Sequence, residues 1–127
     1  MSGSTTVTNL GVVMFTVASQ DAALAFYTEK LGWEVRSDMT FGENSEMRWL
    51  EVAPPGSTAR LALNPPMQGE PGGGGIGVET PDVDSEFERL STTEGVTVVA
   101  PVMEMGGAPR MGAIADPDGN QIWIVQV

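Results

Sequence analysis

The chain has 127 residues and 41% hydrophobic content, which suits one compact domain with its own core. Seventeen acidic and six basic residues give a formal charge of −11, which excludes binding that works by neutralising phosphates, and so nucleic acid, and disfavours anionic membrane surfaces. Histidine and cysteine are both absent, which excludes Ser-His-Asp catalysis, His-based metal centres, disulfides and thiol chemistry.

Taken in chain order, the N-terminal MSGSTTVTNLG lacks the basic start and apolar stretch of a signal peptide. No apolar run reaches the ~20 residues that span a bilayer. With no cysteine to oxidise, a cytoplasmic protein is the expectation. Residues 12–17, VVMFTV, read as a strand. Ser19 then stands as a helix N-cap before Ala22–Tyr27, and Leu31-Gly32 closes that helix. Strands follow at Trp33–Arg36, Met47–Val52 and Arg60–Asn64, with Pro54-Pro55-Gly56 as a turn. Residues 8–66 therefore form a first module. Residues 67–75, MQGEPGGGG, read as a linker, with a binding loop as the alternative. Residues 75–127 form a second module. It carries a strand at Ile76–Glu79, a helix at Val83–Leu90, and strands at Val96–Val99, Arg110–Ala115 and Gln121–Val127. The Asp116-Pro-Asp-Gly-Asn segment reads as a structural turn.

The second module repeats the first at a constant offset of 63 residues. Ser19 matches Asp82, Leu24 matches Phe87, Tyr27 matches Leu90, and Ala53–Ser57 matches Asp116–Asn120, with no gap. Such a repeat is two copies of one supersecondary unit, neither of which buries its apolar face alone. Strand alternation divides the residues between two faces. Val13, Phe15, Val17, Leu61, Leu63, Ile76, Val78, Ile122 and Ile124 make an apolar face for packing under the helices. Val12, Met14, Thr16, Arg60, Ala62, Asn64, Gly75, Gly77, Glu79, Gln121, Trp123 and Val125 make a mixed face suited to a binding surface, which Met47, Trp49 and Glu51 join.

AALAFYTEKLGWEV at 22–35, RWLEVAPPGS at 48–57, DVDSEFERL at 82–90 and DPDGNQIWIVQ at 116–126 resemble the vicinal oxygen chelate superfamily of glyoxalases, extradiol dioxygenases and bleomycin-resistance proteins. The resemblance implies an α+β fold, two βαβββ modules forming a U-shaped half-barrel cleft, in one domain spanning 1–127 and frequently in a homodimer. It also implies metal ligands on the first and last strands of each module. Here those positions hold Val12, Ala62 (or Arg60 in a gapless alignment), Gly75 and Trp123, none of which suits a metal. No metal and no cofactor are therefore expected. An oxygen-only cation site at Glu51 and Glu79 is a further alternative.

Loss of the ligand positions leaves an apolar cleft floor with an indole in it. Trp49 and Trp123 are the favoured contacts for a flat or cationic ligand, and ordinary packing is the alternative for each. Met14, Met39, Met47, Met103, Met105 and Met111 fall near the cleft, where methionine either adapts to a bulky partner or fills gaps. Phe41 and Met103–Met105 are expected in loops overhanging it. The candidate ligand-binding set is Met14, Phe41, Met47, Trp49, Arg60, Ala62, Met103, Met105, Met111 and Trp123. Its expected partner is a bulky, partly aromatic small molecule, most simply an antibiotic that is held and not transformed. The acid excess serves solubility or attracts a cationic ligand. The competing readings are a lyase, isomerase or dioxygenase using Glu51, Glu79 or Tyr27 as base, and a non-catalytic regulatory module.

Overall fold

The computed structural model describes residues 4–67, 69–104 and 106–127. Module one runs β1 (Val12–Thr16), α1 (Gln20–Ala25), β2 (Glu34–Phe41), β3 (Met47–Ala53) and β4 (Arg60–Asn64). Module two runs β5 (Gly75–Thr80), α2 (Val83–Ser91), β6 (Thr97–Met103), β7 (Met111–Ala115) and β8 (Gln121–Gln126). Each module is one four-stranded sheet, ordered β1-β4-β3-β2 and β5-β8-β7-β6. In each, the first strand runs parallel to the last, and the other pairs are antiparallel. This is the paired βαβββ arrangement of an α+β fold.

Both helices begin as the sequence directs. The Ser19 hydroxyl accepts from the Ala22 N–H at 3.1 Å, and Asp82 accepts from the Ser85 N–H at 3.1 Å. The first helix widens into a π-helical turn at Phe26–Lys30. It ends at Gly32, whose φ of 79° places it in the left-handed region that glycine adopts freely. The Gln20 side chain ties the helix start to its sheet, donating to the Arg48 and Leu63 carbonyls at 3.1 and 2.9 Å.

One hydrophobic core serves both modules, joining Phe15, Val17, Phe26, Tyr27, Leu50 and Leu61 to Val83, Phe87, Leu90, Ile114 and Ile122. Phe15, Val17, Leu61, Leu63, Ile122 and Ile124 of the apolar strand face are buried as its alternation requires, and Ile76 and Val78 are partly buried against the core. Val13 is 40% exposed, because β1 is an edge strand with β4 as its only sheet neighbour.

The gapless repeat needs correction. Met14 pairs with Ala62 and Gly77 with Trp123, so β4 and β8 correspond at an offset two residues shorter than β1 and β5. Ser37 pairs with Glu51 and Ala100 with Ala113, so β3 and β7 are shorter by one. The turns absorb the difference. Pro54–Ser57 closes with Gly56 at its third position, whereas Asp116–Gly119 closes with glycine at its fourth. Ala62, and not Arg60, is therefore the counterpart of Trp123.

The Asp116–Asn120 turn, correctly read as structural, latches the modules together. Asp116 is almost fully buried and takes the Asp118 and Asn120 N–H groups on one oxygen, both at 2.9 Å. Its other oxygen accepts from the Asn120 amide and the Tyr27 hydroxyl, both at 3.0 Å. Asn120 in turn donates to the Thr16 carbonyl at 3.1 Å, and Asp118 accepts from the Ala18 N–H at 3.2 Å. Burial first, and the Asp116 charge second, push the Tyr27 hydroxyl above its ordinary range.

Candidate functional site

The face of each sheet turned away from the helices is the open one, and register decides what it displays. In module one a row crosses the sheet as Met14, Ala62, Glu51 and Ser37. Beside it, Met39 opposes Trp49, and Phe41 opposes Met47. Met14, Met39 and Phe41 are 58%, 55% and 46% exposed, so an apolar surface faces outward where a monomer would ordinarily show polar groups.

A polar network anchors its centre. Glu51 is buried, and one of its oxygens receives the Arg60 guanidinium at 3.0 Å while the other accepts from the Trp49 indole N–H at 3.0 Å. The charges cancel, and the Trp49 N–H is spent inside the network. What Trp49 retains for a ligand is its ring face. Arg60 uses its Nε here and is half exposed, so its terminal N–H groups remain as donors at the edge of the apolar surface.

In module two the row is Gly77, Trp123, Ala113 and Ala100. The indole is flanked on both neighbouring strands by the smallest side chains, and Ala113 beside it is fully shielded from water. The Trp123 N–H donates to the Gln121 side chain at 3.3 Å, which also leaves the ring face as its free surface. Met111 opposes Val125 on one side and Met103 on the other.

The structure brings Met14, Met47, Trp49 and Arg60 onto one open face, and Met103, Met111 and Trp123 onto the other. Ala62 lies on the first face but is fully buried, so its methyl is floor beneath larger neighbours. Phe41 and Met103 end β2 and β6 and do not lie in loops, because pairing with Met47 and Met111 carries the ladders that far. Met105 lies outside the described residues. Met39 is missing from the sequence-derived set, although its alternation with Phe41 along β2 places it on the same face.

Of the three candidate bases, Glu51 has both oxygens engaged and Tyr27 has its hydroxyl held by Asp116 in the core. Glu79 is exposed near the end of β5. Among the described residues, no three acidic side chains gather where they could hold a metal ion. Val12, Ala62, Gly75 and Trp123 provide no ligating side chain, so the residues present do not fit the metal site that the sequence resemblance implies.

Residues 9–124 match the Glyoxalase/Bleomycin resistance protein/Dioxygenase superfamily. A superfamily member from Sphaerobacter thermophilus is 32% identical with a TM-score of 0.85, over 95% of this chain and 98% of that one. TnmS3, an antibiotic binding protein from Streptomyces sp. CB03234, is 31% identical with a TM-score of 0.80, over 97% and 98%. An uncharacterized protein of Bacillus subtilis, YetH, is 32% identical over 90% of this chain and 94% of its own.

Proposed function

The chain belongs to the glyoxalase/bleomycin resistance protein/dioxygenase superfamily, and from that premise we propose that it binds and sequesters a bulky, partly aromatic small molecule without a metal. The observation that carries this reading is the open apolar face, where Met14, Met39, Phe41 and Trp49 stand beside ligand positions that hold no ligating group. Indole faces stack flat rings, and methionines adapt to irregular apolar outlines. The similarity to an antibiotic binding protein supports an antibiotic as the ligand.

The electrostatics favour a neutral ligand over a strongly cationic one. Glu51, the buried carboxylate of the open face, is cancelled by Arg60. The terminal N–H groups of Arg60 suit carbonyl or phenolic oxygens on the ligand's rim. A face this apolar is completed by a second copy of the chain, which would make the clefts of a homodimer. The absence of cysteine agrees with work in the cytoplasm, and among the described residues no helix is long and apolar enough to cross a membrane.

The test is titration with polycyclic aromatic antibiotics, neutral and cationic members side by side, read by tryptophan fluorescence and melting temperature. Saturable quenching with a melting rise, stronger for neutral members, is the expected result. No response across the panel would overturn the binding reading. A stoichiometric divalent metal, found by elemental analysis of protein purified without chelator, would overturn metal independence.

A further inference from the structure

The duplication creates two junctions at which the end of one module's helix meets the other module, and the two are not alike. At the first, the Tyr27 phenol fills the space and its hydroxyl donates to Asp116 at 3.0 Å. At the second, Leu90 stands where Tyr27 does, Glu79 stands where Thr16 does, and the facing turn, Pro54–Ser57, carries no carboxylate. The space there is a partly open cavity of about 240 Å³, where apolar Leu31, Trp33, Val78 and Leu90 line it together with charged Glu79, Glu86 and Arg89. It lies on the helix side of the sheets, away from the open face.

We propose that this cavity is a second binding site, for a monocyclic phenol. Size permits it, since an apolar cavity of about 150 Å³ already holds a benzene ring. The chain itself shows what the fold accommodates, because its own phenol occupies the equivalent place at the first junction. The polar requirement is met as well. Glu86 lines the cavity and uses one oxygen for Arg89 at 2.7 Å, which leaves its other oxygen to accept a hydroxyl as Asp116 does for Tyr27. Arg89 also donates to the Lys30 and Leu31 carbonyls at 3.0 and 3.2 Å, which fixes the cavity's edge to the end of the first helix. Trp33 packs against Tyr27, with ring centroids 5.3 Å apart, and also lines the cavity, so it connects the two junctions.

The experiment is an amide and indole NMR titration of the intact protein with p-cresol, with toluene as the matched ring lacking a hydroxyl. Saturable millimolar shifts are expected at the Trp33 indole, Val78 and Leu90, with the Trp49 and Trp123 indoles unmoved. Toluene should bind at least several-fold more weakly. Leu90→Tyr places the chain's own phenol in the cavity and should lower p-cresol affinity at least tenfold. Should that variant not fold, Val78→Phe blocks the same space from another wall with the same expected loss. Shifts at Trp49 or Trp123 in place of Trp33, toluene binding as tightly as p-cresol, or affinity that survives the blocking variant would each overturn the proposal.

Discussion

Tyr27 is the only tyrosine in the chain, so its ionisation can be followed by absorbance without interference from another phenol. Burial raises its folded-state pKa, and the Asp116 carboxylate, 3.0 Å away, raises it further. The unfolded chain should ionise near 10.0, the ordinary value for a tyrosine phenol. A group whose pKa is raised on folding contributes stability that is fully present below its unfolded pKa. That stability is lost as pH rises through the folded pKa. Between pH 10 and pH 12 the unfolded state loses its phenolic proton and the folded state keeps it. The resulting loss of stability approaches about 1.4 kcal/mol per pH unit, or roughly 2.7 kcal/mol at pH 12. That is a large part of the ~5–15 kcal/mol typical of a domain. Urea unfolding at pH 9, 10, 11 and 12 would measure it, with tyrosinate absorbance recorded beside circular dichroism. Tyrosinate should appear only together with loss of the fold. Tyr27→Phe, although less stable at neutral pH, should show a shallower decline with pH. Tyrosinate forming near pH 10 in a folded protein, or an equally steep decline in Tyr27→Phe, would refute the reasoning.

Other changes test the open face and the module junction. Trp123→Ala should weaken binding of an aromatic antibiotic about tenfold, in line with ~1–1.5 kcal/mol for a lost aromatic contact, as isothermal titration would show, and, because the indole is partly buried over Ala113, should also cost ~1–2 kcal/mol in urea unfolding. Arg60→Ala takes one partner from the buried Glu51 carboxylate; because Arg60 is half exposed, water compensates in part, and a cost of about 1 kcal/mol in urea unfolding is expected. Gly74→Ala would set a methyl 2.6 Å from the Phe15 ring and 2.9 Å from the Asn120 amide oxygen, so a loss of ~1–3 kcal/mol should appear in thermal unfolding.

Local chemistry made much of the fold legible. Ser19 and Asp82 mark the helix starts because their side-chain oxygens satisfy backbone donors that no preceding turn can reach. Alternation assigned Phe15, Leu61, Leu63 and Ile122 to the buried face, since a sheet covered on one side leaves little choice of register. The errors lie where local pattern gives no information. The turns at 54–57 and 116–119 are built differently, and a gapless alignment does not register this. Phe41 and Met103 read as loop residues because nothing local marks how far a ladder extends.

By itself, the sequence determined the duplicated α+β scaffold, the apolar strand faces and the absence of ligating side chains at four positions. The repeat and the apolar strand faces follow from residue type and spacing, which act over a few residues; the α+β arrangement and the four ligand positions come from the resemblance to the vicinal oxygen chelate superfamily. Only the tertiary structure decided the pairing of Glu51 with Arg60 and Trp49, the flanking of Trp123 by Gly77 and Ala113, and the latch from Tyr27 to Asp116 and Asn120. Of those contacts, Glu51–Arg60, Tyr27–Asp116 and the flanking of Trp123 join residues from different strands or modules, while Trp49–Glu51 and Asp116–Asn120 are local pairs whose burial the fold decides. Hydrogen bonding and burial at such points depend on sheet register, not on neighbours in the chain. The same dependence leaves one junction filled by a phenol and its counterpart open.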